Sequence, residues 1–131
     1  MLDSRHHGRR VTAMALTAII AGAALASGAA AGSVSALDAA GRAKALARTH
    51  ETVEETYFTV HQTYSHSRAA LVRFEPSIAH GRFSVSATST SYTIRVRAST
   101  GAIFRLIRFT GGNVRRSCSP RAAAGCTNGL W

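Results

Sequence analysis

The chain has 131 residues, room for one domain and at most a targeting or anchoring segment. Its net charge of +10 comes almost wholly from arginine, with Lys44 the single lysine. Beyond Glu55 the one acidic side chain is Glu75, which excludes chemistry that needs two paired carboxylates in the second half.

Residues 1–10 form a basic leader, with Arg5, Arg9 and Arg10 against Asp3. A positive segment ahead of an apolar one orients the latter with its N-terminus in the cytoplasm. Residues 11–35 are that apolar segment, for export or membrane anchoring, and the run 11–31 is long enough to span a bilayer. Its content of Ala, Gly and Thr also suits a cleaved signal, and the small residues up to Ala36 offer a signal peptidase its site. After Arg9-Arg10 stand Thr12 and Ala13, where a twin-arginine signal would place larger apolar residues.

From residue 36 to about 60 the pattern becomes an amphipathic helix. Ala39, Ala43, Leu46, His50, Val53, Tyr57 and Val60 recur at steps of four and three, which sets them on one face. Asp38, Arg42, Lys44, Arg48, Glu51, Glu54 and Glu55 fall largely off that stripe. No proline interrupts the path from residue 11, so a single helix, apolar first and amphipathic later, would reach roughly 70 Å. Residues 68–76 read as a turn or extended piece, closed by Pro76.

Strand patterns fill residues 82–118. Residues 82–87 alternate with Phe83, Val85 and Ala87 on one face. Residues 92–98 turn Tyr92, Ile94, Val96 and Ala98 inward and Thr93, Arg95 and Arg97 outward. Residues 102–109 make a third strand and 114–118 a fourth. Short turns between them predict an antiparallel meander, whose apolar face requires the helix as its cover. The expected fold is α+β: a long N-terminal helix packed on a small sheet of three or four strands.

Three functional expectations follow from side-chain chemistry. Cys118 and Cys126, close together in an exported chain, read as a disulfide closing a loop over 118–126. From Thr56 onward ten arginines face one acid, and Arg95, Arg97, Arg105, Arg108, Arg115 and Arg116 are candidates for a patch that binds polyanions weakly and without sequence preference. Arg121 lies beside them in the cysteine loop. No catalytic motif is visible, and no cofactor is expected. His61, His66 and His80 have spacings that match no metal motif.

The order of parts resembles the type IV pilin and pseudopilin family. The helix end, from Glu54-Glu55-Thr56-Tyr57-Phe58 to Thr63-Tyr64, is similar to that family's aromatic pair followed by Thr-Tyr. The C-terminal Gly111-Gly112-Asn113 and the run Gly125-Cys126-Thr127-Asn128-Gly129-Leu130-Trp131 are similar to small pilin-like proteins that end in a cysteine loop and a Trp. The resemblance covers about residues 36–131. It implies a non-enzymatic structural subunit or minor component of a bacterial cell-surface filament or secretion system, in contact with other pilin-like subunits and with the cytoplasmic membrane. Prepilin processing would fall after Gly8, yet Arg9 replaces the family's aromatic residue and Ala13 its glutamate. The alternative is a secreted, signal-peptidase-processed basic binding protein that does not polymerise.

Overall fold

The computed structural model describes residues 26–131, with side chains at Ser33 and from residue 35 onward. Helix α1 runs from Ala26 to His61. Its threonines are tolerated because Thr49, Thr52, Thr56 and Thr59 each donate their hydroxyl to the carbonyl four residues earlier. The helix stops where Gln62 adopts a positive φ of 60° and its N–H returns to the Phe58 carbonyl.

Residues 68–76 correct the sequence expectation of a turn or extended piece. Arg68–Phe74 is a second helix, α2. Ser67 caps it, its hydroxyl accepting the Ala70 N–H at 3.2 Å, and Ala69, Ala70 and Leu71 favour the helix. A single 3-10 turn, Pro76–Ala79, follows, opened by the Glu75 carboxylate accepting the Ser77 N–H. Gly81 then turns the chain at φ +89°, a conformation that L side chains rarely adopt, and a Cβ there would also displace the end of the Leu46 side chain.

Four strands follow: β1 (Arg82–Ala87), β2 (Tyr92–Arg97), β3 (Ile103–Arg108) and β4 (Val114–Ser119). They pair antiparallel in sequence order, the meander that short turns dictate. One face of the sheet lies under α1. Phe83, Tyr92, Ile94, Val96, Phe104, Leu106 and Cys118 are buried there, together with Ala39, Ala40, Ala43, Ala47 and Val53 of the helix. The protein is α+β, a long N-terminal helix packed on a four-stranded antiparallel sheet.

The helix face differs from the stripe read in the sequence. Ala39, Ala43, His50 and Val53 are buried, and Leu46 and Tyr57 are half-buried against the core. Val60, the last member, is 62% exposed. The stripe assumed 3.5 residues per repeat, whereas a straight helix turns every 3.6, so the contact line drifts over several turns. Ala40, Ala47 and Glu54 occupy that line instead. Glu54, placed off the face by its charge, is wholly buried.

Candidate functional site

Antiparallel register sorts the arginines by parity. In β3, Phe104, Leu106 and Arg108 share the helix side, while Ile103, Arg105 and Ile107 share the other. Arg105 and Arg108 are three residues apart and therefore point to opposite faces, as do the neighbours Arg115 and Arg116. The sequence-level patch of six thus divides into two sets.

Arg108 and Arg116 belong to the helix side. Arg108 Nε lies 2.8 Å from the Glu55 carboxylate, and Arg116 lies 2.9 Å from that of Glu51. Glu51 and Glu55 are one helical turn apart, so a single edge of α1 neutralises both arginines. Glu55 also accepts the hydroxyls of Tyr64, at 3.2 Å, and Tyr92, at 3.0 Å. Burial, followed by the charge of Glu55, pushes the Tyr92 phenol far above its ordinary range. This cluster ties helix to sheet, and its arginines are occupied.

Arg95, Arg97, Arg105 and Arg115 lie on the opposite face, which no described element covers. Arg82, which the sequence reading left out, joins them because it pairs directly with Arg97. The register arranges this face in three rows across the strands. Arg82, Arg97, Ile103 and Ser119 form the first; Ser84, Arg95, Arg105 and Ser117 the second; Ser86, Thr93, Ile107 and Arg115 the third. No row contains an acidic residue, and none of these five arginines takes part in an ion pair among the described residues. A shallow depression of 360 Å³ opens between Arg82, Ser84, Arg95, Arg97 and Ile103. The signal for Arg82 was present in the sequence: it shares the parity of the outward serines of β1.

The C-terminal loop closes the far edge. Cys118 and Cys126 are joined by a disulfide. The Cys118 N–H donates to the Gly129 carbonyl, and the Trp131 indole N–H donates to the carbonyls of Ser117 and Arg105. Arg48 and Arg116 each lie 5.7 Å from the centre of the Trp131 ring, so Arg48 is no bystander on the helix surface. Arg121 stays in this loop, its guanidinium 3.5 Å from the Asn128 carbonyl.

The remaining candidates are dispersed. His61 stacks beside Tyr57, His66 lies 3.1 Å from the Ala87 carbonyl, and His80 is exposed. Among the described residues no three His, Cys, Asp or Glu side chains gather as metal ligands. Gly8 lies outside the described residues, and Ala36 is a half-buried residue within α1. Among the described residues no helix is long and apolar enough to cross a membrane.

Two buried groups stand apart from both arginine sets. His50 bonds the Leu46 carbonyl through Nδ1 at 2.6 Å, which leaves Nε2 without a partner against Phe83. One turn later, Glu54 accepts the Ser65 N–H at 2.9 Å through one oxygen, and its other oxygen has no partner. Compared with family models, with curated proteins and with solved structures, the chain matches none.

Proposed function

We propose that this chain is a non-enzymatic, pilin-like structural subunit of a bacterial cell-surface filament or secretion apparatus, exported and held in the cytoplasmic membrane through its N-terminal apolar segment. The observation that carries this reading is the helix. α1 continues unbroken from Ala26, and among its described side chains the first buried one is Ala39, with Ser35, Leu37 and Asp38 before it exposed. A helix that projects from its domain and is preceded by an apolar run is built to be embedded elsewhere, in lipid or among the helices of neighbouring subunits.

A second reading, a secreted basic protein freed by signal peptidase, draws its support from the acid-free arginine face, which needs no filament to act. The intact mass of the protein recovered from cell-surface fractions separates the two. The subunit reading expects a chain that retains residues 11–35, beginning near Arg9. A chain beginning near Leu37 would sink it and leave the secreted form.

A further inference from the structure

We propose that the uncovered face of the sheet binds a single-chain, base-free phosphodiester polymer, a polyol phosphate, laid diagonally across all four strands along Arg82, Arg97, Arg95, Arg105 and Arg115.

The register defines the path. Arg82 and Arg97 are cross-strand partners, Arg97 and Arg95 are two residues apart on β2, and Arg95 and Arg105 are partners again. Arg115 lies one strand and one row beyond Arg105. The arginines therefore stand in single file from one corner of the sheet to the other. With strands about 4.8 Å apart and rows about 6.7 Å apart, the file is roughly 20 Å long. Arg82, Arg95, Arg97 and Arg115 are exposed, as long cationic side chains without partners are. At the centre, Arg105 Nε is buried and has no acceptor among the described residues. An anionic oxygen at that point would satisfy it, and a guanidinium fork matches a phosphate better than a point charge does.

The chemistry flanking the file narrows the class of ligand. Ser84, Ser86, Thr93, Ser117 and Ser119 offer hydroxyls, and Ile103 and Ile107 offer aliphatic surface. None of the described strand residues that point to this face is aromatic. Tyr92 and Phe104 point to the helix, where they are buried, and the exposed Phe109, just past the end of β3, is a single ring beyond the row of Arg115 and not part of the file. A surface built for single-stranded nucleic acid would carry stacking rings, which contribute about 1–3 kcal/mol per base. A duplex presents two backbones across a groove, whereas this face offers one line of charge over a shallow depression. The hydroxyls and methyls suit a strand whose repeats are phosphates separated by polyols.

The test is a salt titration of binding with the full-length protein in detergent micelles. The probes are poly(glycerol phosphate), an oligothymidylate of equal charge and a short DNA duplex. Five phosphate contacts at about 0.7 each predict a log–log salt slope near −3.5 for poly(glycerol phosphate). The double variant Arg95→Ala, Arg97→Ala should flatten it to about −2, and Arg82→Ala with Arg115→Ala should do the same from the ends of the file. Arg42→Ala with Arg73→Ala removes the same charge from exposed helix positions and should leave the slope unchanged. Tighter binding of either DNA probe, an equal effect of the control pair, or no binding by the wild type would each overturn the proposal. Circular dichroism of every variant keeps unfolding from being read as lost contact. None of these outcomes bears on which N-terminus the exported chain carries.

Discussion

Single residues decide how this protein responds to pH. The Glu54 carboxyl is pushed up to about 7 from its ordinary 4.5, first by burial and further by the neighbouring Glu55 charge, against the opposing bond from Ser65 N–H. The folded state therefore holds this proton more tightly than the unfolded chain. Its contribution to stability is complete below about pH 4.5 and is lost as pH rises through about 7. His50 is shifted the other way: burial holds its imidazole below the ordinary 6.5, the Leu46 carbonyl opposes that, and Arg68 adds to it. Its contribution is present above 6.5 and lost as pH falls through the folded value. The two groups penalise both alkaline and acidic conditions, so stability should peak in mildly acidic solution. Glu54→Gln should abolish the loss between pH 5 and 8, of order 2–3 kcal/mol. Thermal melts across that range check it, and a variant as pH-sensitive as the wild type would refute it.

At the scale of elements, the seam between α1 and the sheet is set by small residues. Ala40, Ala43 and Ala47 are almost wholly buried where the helix crosses the strands, so its backbone comes close to β2 and β3. A larger side chain there has nowhere to go. Ala47→Leu should cost about 1–3 kcal/mol through overpacking. Ala45→Leu, on the exposed side of the same turn, should be nearly silent. Urea midpoints for the two variants measure the contrast, and equal midpoints would contradict the packing described. The approach of the C-terminal loop is equally tight. Gly125, at φ +78°, lies where a Cβ would come within 2.8 Å of the Ala40 Cβ.

The molecule as a whole is a sheet with one covered face, one open face and a clasp at the β4 edge. The clasp combines the disulfide, the bond from Cys118 N–H to Gly129 and the Trp131 indole lying over the sheet edge. The eight-residue separation of the two cysteines predicts about 2–3 kcal/mol from loop closure. In a domain of this size, reduction should lower Tm by roughly 10–20 °C. Calorimetry with and without a thiol reductant tests this; an unchanged Tm would assign the clasp to Trp131 and the backbone bonds alone. Charge follows the same division of faces. Arginines under the helix are matched by Glu51 and Glu55, and those on the open face meet no acid among the described residues.

The sequence by itself determined the long helix, the four strands and their antiparallel order, and the pairing of Cys118 with Cys126, but not α2 (Arg68–Phe74), whose residues read as a turn or extended piece. Each is a local matter of periodicity, turn residues and proximity along the chain. Parity within β3 and β4 also carried the division of the arginines, since side chains on a strand alternate whatever the fold. What only the tertiary structure decided is which line along α1 meets the sheet. Apolarity pointed to a stripe of which Ala39, Ala43, His50 and Val53 are buried and Leu46 packs against the core. The contact also takes in Ala40, Ala47 and Glu54 and leaves Val60 exposed, because a helix can rotate to bury small residues and one carboxyl if the seam then packs more closely. The arginine partners of Glu51 and Glu55 were invisible for the same reason: they lie more than fifty residues away, and only the docking of helix on sheet brings those charges together.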